Sequence, residues 1–339
     1  MSKLSVLGGI AVALLALGGF AYAGEWRHTG VTDGSACVLK FEGAVTTGDA
    51  QALELAIERF EAEITKTNQF YYMADYPYDS VCLNSEGGNF AEGVKMAQVL
   101  NRAGYGTLVE AGDVCMSACA VAFMGGSYHS ESDRGVQPKR ALHPTARLGF
   151  HSPSLNVPKS QYSEAIVADA YAAALGSIAE LQKVADEIRF PRSLLVEMLG
   201  TPPSDMMFVE TVGQATRWRM IVADVQPVTD VQASHMENAC ENIDAGLLDE
   251  DPREWGFYLV EGGDPYTLRN EGGTEWAGEY TGFRQEAATP CSFYYNARVA
   301  TDRLHVTNHQ GLVELVEWVD LHAYQLFAPE TRLTELPVR

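Results

Sequence analysis

The stretch VCMSACA, residues 114–120, predicts a short buried strand, a serine at position 117 and a helix of small residues. A hydroxyl at Ser117 would lie at the positive end of the helix dipole, and the next peptide N–H, that of Ala118, could bind a developing oxyanion. Serine is also a preferred N-cap residue, so the same pattern fits a simple helix cap. The stretch therefore predicts either a nucleophile or a cap at Ser117.

Two other short motifs carry groups that acyl-transfer chemistry needs. LNSEGG at residues 83–88 follows an apolar run, and its glycines, Gly87 and Gly88, permit a tight turn with peptide N–H groups directed into a cleft. LGFHSP at residues 148–153 is an apolar run that ends in His151, and imidazoles titrate near neutral pH as a general base must. Taken alone, a diglycine is most often a turn and a lone histidine is most often structural.

Strands and helices alternate around these motifs. Strands are predicted at 37–41, 80–83 and 107–109, and helices are predicted from Asp49 with apolar positions to Phe60, over 91–102, over 161–188 and over 194–199. The polar segment 127–147 reads as a loop-like insertion. This alternation predicts an α/β domain with a largely parallel sheet.

The composition and the pattern of apolar residues change near residue 230. At 339 residues, the chain is long enough for one large or two modest domains. Strands are predicted at 256–260, 292–295 and 304–307, and an amphipathic helix over 312–327. We therefore expect a main domain over 24–230 and a small α+β domain of unknown role over 231–339.

Taken in order, LNSEGG, a helix, a strand, CMSACAVAFMGG and GFHSP resemble the proteolytic subunit of the Clp protease, within the wider crotonase-like superfamily. The resemblance covers roughly residues 37–222 and implies a parallel sheet built from ββα-type repeats. The sequence departs from the family in having Glu86 where a proline is usual, a longer segment before His151, and two cysteines beside Ser117. The site residues that the resemblance implies are Ser117 as nucleophile, His151 as base, Asp205 in SDMMF as the residue that orients the imidazole, and Gly87, Gly88 and Ala118 as the oxyanion hole.

The expected function is thus an exported serine peptidase-like hydrolase that acts on a peptide or protein and uses no metal or other cofactor. The alternative is a catalytically inactive protein of the same fold that acts in binding or assembly. A thioester-processing crotonase is disfavoured because acyl-CoA substrates belong to the cytosol. A serine–lysine dyad would need Lys95, Lys139 or Lys159, and none of these lies in a recognisable motif. A homo-oligomer stays open.

The first residues predict export. Residues 1–23 contain one lysine, an apolar run from Leu4 to Phe20 and a small-x-small site at 21–23, which together predict a signal peptide cut before Gly24. The alternative is an uncleaved membrane anchor, because residues 4–23 could just span a bilayer. The formal net charge of -21 disfavours nucleic acid and anionic lipid surfaces as partners. The mature protein is expected in the periplasm or outside the cell, without membrane attachment.

An exported location permits disulfides among the six cysteines. Sequence alone leaves their connectivity open. Cys240 with Cys291 is the first expectation, because both lie in the C-terminal region, and Cys37 with Cys82 is the second. Cys115 and Cys119 could bridge the Ser117 turn or form half of a metal site, and the lack of a second ligand pair nearby disfavours the metal.

Overall fold

The structure is a computed structural model that describes residues 24–29, 37–67, 80–130, 135–154, 161–251, 266–284, 287–297, 304–308 and 317–339. The predicted signal peptide and the predicted strand at 256–260 lie outside these residues. Within them the chain is a mixed α/β protein, which confirms that class. None of the described helices is long and apolar enough to cross a membrane.

The elements bear the following bounds. The helices are α1 (Asp49–Thr67), α2 (Phe90–Ala103), α3 (Ala118–Phe123), α4 (Glu164–Ala185), α5 (Arg192–Gly200), α6 (Val212–Arg217) and α7 (Ala233–Leu248). The strands are β1 (Glu25–His28), β2 (Leu39–Glu42), β3 (Ser80–Asn84), β4 (Gly106–Val109), β5 (Val114–Met116), β6 (Ser127–His129), β7 (Val136–Pro138), β8 (Arg140–Leu142), β9 (Arg147–Phe150), β10 (Met207–Phe208), β11 (Ile221–Val222), β12 (Tyr266–Gly272), β13 (Glu275–Arg284), β14 (Ala287–Asn296), β15 (Leu304–Asn308) and β16 (Glu317–Leu321).

The main sheet has six strands in the order β1-β2-β3-β4-β8-β11. The strands from β2 to β11 run parallel, and β1 is antiparallel to β2. The predicted apolar runs at the start of the chain form its centre, since Val81, Cys82 and Leu83 in β3 are fully buried. Helices α1 and α2 supply the apolar face that covers this sheet, with Leu53 and Leu100 also fully buried.

The prediction of a loop-like insertion over 127–147 was wrong. This segment contains β8, which pairs with β4 and β11 inside the main sheet. The strand was not recognised because its first residue, Arg140, is charged and yet fully buried. The Arg140 guanidinium donates to the carbonyl oxygens of Ile188 and Arg189. Both terminal nitrogens of this buried guanidinium have carbonyl partners in the turn after helix α4, whereas its Nε has none among the described residues. A buried arginine also interrupts the apolar pattern by which a strand is recognised in sequence.

A second, three-stranded sheet has the order β10-β9-β5. Strands β5 and β9 are parallel, and β10 is antiparallel to β9. The bridge between Ser85 and Cys115 connects this sheet to the end of β3. Helix α3 packs on α2 at Gly93, where an added Cβ would lie 2.3 Å from the carbonyl oxygen of Ala118. Glycine is therefore required for this close approach of the two helices.

The C-terminal region forms a five-stranded antiparallel sheet in the sequential order β12 to β16, with helix α7 against it. Met236, Cys240 and Phe293 belong to its separate hydrophobic core. The predicted helix over 312–327 was wrong where the structure describes it, because 317–321 is strand β16. The sequence EWVDL contains a tryptophan and a valine, which favour strands, so the short apolar run fitted both structures.

The end of the chain returns to the main domain. Residues Ala323, Tyr324, Leu333 and Leu336 are buried in the same core as the main sheet. The Tyr324 hydroxyl donates to the carbonyl oxygen of Met220 at 2.6 Å, and burial raises the pKa of this phenol well above its ordinary value. The last residues of the chain therefore join the C-terminal sheet to the main domain.

All six cysteines form disulfides, and the pairs are Cys37–Cys82, Cys115–Cys119 and Cys240–Cys291. The second pair spans the Ser117 turn, so its sulfurs are not metal ligands. Three disulfides are compatible with an exported protein, because oxidising compartments allow them to form and persist.

Candidate active site

Ser117 lies at the corner between β5 and α3 and has an unusual backbone conformation. Its φ is 55° and its ψ is -120°, which correspond to the second residue of a type II′ turn, a position that glycine normally takes. Such strain costs on the order of 1–3 kcal/mol and persists only where the surroundings impose it. Strained serines at strand-to-helix turns are also how hydrolases expose a nucleophile.

Ser117 occupies the N-cap position of α3, but its side chain does not act as a cap. Within the described residues, the Ser117 side chain makes no capping hydrogen bond to helix α3. Its neighbours Met116 and Ala118 are buried, whereas Ser117 is half-buried. The hydroxyl is thus left unused by the helix and partly accessible, as an attacking group must be.

The sheet order brings the three predicted catalytic positions to one edge. Ser117 directly follows β5 and His151 directly follows β9, and these neighbouring strands are parallel with Met116 opposite Gly149. The Ser117 N–H also donates to the carbonyl oxygen of Gly149 at 2.9 Å. Because the carboxyl ends of parallel strands meet at one edge, both side chains begin from the same border of the sheet.

Asp205 reaches this edge from the other side of β9. It lies two residues before β10, which runs antiparallel to β9 with Met207 opposite Phe150. The strand order therefore gives the sequence Asp205, His151, Ser117 across the sheet, with the histidine in the middle. Within the described residues, however, no hydrogen bond or ion pair joins Asp205 to His151, and Asp205 is exposed. Its N–H donates to the carbonyl oxygen of Pro202 at 2.9 Å, in a turn.

The imidazole of His151 is oriented by a neighbouring peptide. Its Nδ1 lies 2.7 Å from the carbonyl oxygen of Ser152. A carbonyl oxygen can only accept, so Nδ1 carries the proton of this hydrogen bond and Nε2 of the neutral ring is left with its lone pair. The Ser152 N–H in turn donates to the carbonyl oxygen of Thr201 at 2.9 Å, which fixes the loop that holds the ring.

The three predicted oxyanion donors differ in whether their N–H groups have partners within the protein. The Gly87 N–H donates to the Ser85 hydroxyl at 3.0 Å, so it is occupied within the protein. Ala118 is the first residue of α3, and its N–H has no acceptor inside that helix. Gly88 is exposed, and no described residue accepts from its N–H. Gly88 and Ala118 are thus better placed to donate than Gly87.

Gly87 acts instead by making room. Its φ is 99°, and an added Cβ would lie 2.6 Å from the carbonyl oxygen of Met116 and 2.8 Å from the Cβ of Ser117. The diglycine turn is held against the neighbouring loop, since Val45 donates to the carbonyl oxygen of Gly87 at 2.9 Å. The turn therefore packs directly on the serine corner.

Sequence reasoning missed Ser85, which connects these parts. It is buried, its hydroxyl accepts from Gly87, and its carbonyl oxygen accepts from the Met116 N–H at 3.0 Å. A serine between an apolar strand and two glycines could have indicated this role, because serine hydroxyls often bond to a backbone N–H two residues on.

A buried carboxylate, that of Glu92, lies one residue before the glycine at which α2 packs on α3. Glu92 in α2 accepts from the N–H groups of Gly48 and Ala50, both at 3.0 Å, and its side chain is almost fully buried. Burial by itself would raise the pKa of Glu92, but the hydrogen bonds from Ala50, Lys95 and Gly48 together lower it below the ordinary value. The ionised carboxylate therefore ties the start of α1 to α2.

The described lysines of the alternative dyad lie in other environments. Lys95 has a largely exposed side chain and pairs with Glu92 at 3.2 Å. Lys139 is buried and packs against Gly106, at the start of β4. Lys159 lies outside the described residues. Neither described lysine lies on the edge of the sheet that Ser117 and His151 share.

Comparison of the sequence with protein-family models and with curated proteins finds no match.

Proposed function

We propose that this protein is an exported serine hydrolase of the Clp protease and crotonase-like type, acting on peptide or protein substrates. The observation that carries the proposal is the pair of groups at one sheet edge: a strained Ser117 whose side chain does not cap helix α3, and an imidazole on the neighbouring parallel strand that is held through its Nδ1, with no partner for Nε2 among the described residues. The order of motifs along the sequence and the parallel main sheet support the fold assignment.

The chemistry follows from these groups. The Ser117 hydroxyl attacks the carbonyl carbon of a peptide bond while Nε2 of His151 takes its proton. The N–H groups of Ala118 and Gly88 bind the negative charge that develops on the carbonyl oxygen. The imidazolium then protonates the leaving amine, and the acyl-serine remains. Nε2 of His151 then takes a proton from a water molecule as that water attacks the ester. The imidazolium returns the proton to the Ser117 oxygen, and the carboxylic acid is released.

Asp205 is the proposed third member of the triad. Its place beside β9 supports the assignment, because the strand order sets it on the side of His151 opposite Ser117. The hydrogen bond from Nδ1 to the Ser152 carbonyl already holds the ring in the required tautomer. Asp205 would therefore contribute mainly by stabilising the imidazolium.

Labelling with a fluorophosphonate probe tests the proposal. We expect wild-type protein to label at Ser117, and Ser117→Ala and His151→Gln to lower the rate by at least about 1,000-fold. For Asp205→Asn we expect a loss of about 10-fold, because the Ser152 carbonyl still orients the ring; a loss near 10,000-fold would assign that role to the aspartate. Absence of labelling in folded wild-type protein would contradict the proposal.

One observation favours the second candidate, a binding or assembly protein that keeps the fold. The first half of helix α4 exposes the large apolar side chains of Val167, Tyr171 and Leu175, which are 57%, 65% and 48% exposed and share one face because they are four residues apart. Contiguous apolar patches on soluble proteins commonly mark interaction surfaces. We propose that this face contacts another copy of the chain, as an assembly protein requires.

A further inference from the structure

The three disulfides differ in how much they can stabilise the fold. In the chain-entropy account, a disulfide stabilises more when it closes a longer loop. The sequence separations are 45 for Cys37–Cys82 and 51 for Cys240–Cys291, but only 4 for Cys115–Cys119. The Cys115–Cys119 bridge therefore restricts the unfolded chain least. A contribution to global stability is the weakest explanation for it.

Its position suggests a local role. Cys115 lies in β5 two residues before Ser117, and Cys119 lies in α3 two residues after it. The Cα atoms of the two cysteines are 5.2 Å apart, whereas an extended chain of this separation would span about 13 Å. The bridge thus closes a small ring in which Ser117 is the central residue.

We propose that the Cys115–Cys119 disulfide is a positioning device for the Ser117 nucleophile. The strained φ of 55° at Ser117 needs support from its surroundings. A relaxed serine with negative φ would turn the start of α3 away from the end of β5, and the covalent link between these two elements opposes that movement. The inference rests on the proposed function.

The burial of the bridge decides between a fixed brace and a redox switch. Both Cys115 and Cys119 are fully buried, so a thiol reductant cannot reach the sulfurs in the folded protein. The disulfide therefore forms during folding and then stays closed. It also fixes the Ala118 N–H, which lies between the two cysteines and is one of the oxyanion donors.

The test compares two bridge-free variants by two independent measurements. Cys115→Ala with Cys119→Ala removes the brace, and Cys37→Ala with Cys82→Ala removes a bridge away from Ser117 as the control. Hydrogen exchange over residues 112–124 reports the mobility of the corner whether or not the protein is an enzyme. The fluorophosphonate labelling rate, measured well below the melting temperature, reports the nucleophile.

We expect the brace-free variant to exchange at least about 10-fold faster over 112–124 and to label at least about 10-fold more slowly, with a small loss of melting temperature. The control should lose more melting temperature and keep both local values. Unchanged exchange in the brace-free variant would overturn the proposal, as would faster exchange with an unchanged labelling rate. If the wild-type protein does not label, the proposed hydrolase function is contradicted. The hydrogen-exchange comparison then still tests whether the Cys115–Cys119 bridge fixes the Ser117 corner.

The double alanine variant removes two buried side chains and could fail to fold. Cys115→Val with Cys119→Ala is the second bridge-free form, because the larger valine roughly offsets the smaller alanine in volume. It also keeps a β-branched residue in β5, which suits a strand. The same two outcomes apply to it.

Discussion

Helices α2 and α4 were equally visible in the sequence, yet they differ in their surroundings. Helix α2 was predicted over 91–102 and spans Phe90–Ala103, with Val94, Met96, Ala97 and Leu100 buried. Helix α4 was predicted over 161–188 and spans Glu164–Ala185, but only Leu181, Val184 and Ala185 at its end are buried. Periodicity thus identifies an apolar stripe without showing what covers it.

This difference in burial corresponds to different structural roles for α2 and α4. Helix α2 packs against α3 and so supports the corner that carries Ser117, whereas the exposed part of α4 has no role in the core. The two helices even contain comparable glycines, Gly93 and Gly176, in opposite environments. These glycines provide the sharpest test of the comparison.

Gly93→Ala should destabilise the protein by about 2 kcal/mol, because the overlap with Ala118 outweighs the gain of about 1 kcal/mol in helix propensity. An added Cβ would lie 2.3 Å from the Ala118 carbonyl oxygen. Denaturant unfolding measures the loss, and fluorophosphonate labelling should slow as Ala118 shifts.

The matched control is Gly176→Ala in the exposed part of α4. Among the described residues, no heavy atom lies within 4 Å of the added Cβ apart from the adjacent backbone of the helix itself, so the substitution should stabilise the protein by about 0.5–1 kcal/mol through helix propensity alone. If both substitutions changed the free energy of unfolding in the same direction, α2 and α4 would not differ as described.

The second prediction concerns the apolar face of α4. Tyr171→Glu, at a side chain that is 65% exposed, should weaken self-association by at least about 10-fold, because aromatic residues at the centre of an interface contribute strongly. Analytical ultracentrifugation over a concentration series measures this change. The control is Gln182→Glu on the same helix, which should leave the association unchanged. A wild type that stays monomeric at high concentration would contradict a contact between copies.

Much of the main domain was predictable because its elements repeat a strong pattern. The segments that became β3, α2 and β4 were each predicted within one residue of their observed bounds, because their apolar residues recur at strand or helix spacing. Strand β8 was missed because the buried Arg140 looks like a surface residue in sequence. The strand order that brings Ser117, His151 and Asp205 to one edge depends on long-range pairing, which no local pattern contains.

The strain at Ser117 likewise could not be predicted, since serine does not favour positive φ. Ser117→Gly should raise the free energy of unfolding by about 0.5–1 kcal/mol, because glycine accepts this conformation without strain. Labelling should be lost, so stability and reactivity would move in opposite directions. Ser117→Ala is the control, as it removes the hydroxyl and keeps the strain. Equal stability of the two variants would contradict the strain.

Helix α7 is intermediate between α2 and α4, and a half-buried carboxylate on it gives the smallest expected effect. Burial, together with the nearby charges of Glu237, Glu330 and Asp244, raises the pKa of Glu241 to about 7. The folded state then binds the proton more tightly than the unfolded state, so stability falls as the pH rises from about 4.5 to about 7. Above that range the ionised carboxylate destabilises the fold in full.

Glu241→Gln should therefore stabilise the protein at pH 8, by under about 1 kcal/mol after solvent screening, and have little effect at pH 4.5. Melting temperatures across this range measure the change, with Glu58→Gln on the exposed face of α1 as the control. A gain of equal size at both pH values would show that the carboxylate charge is not its cause.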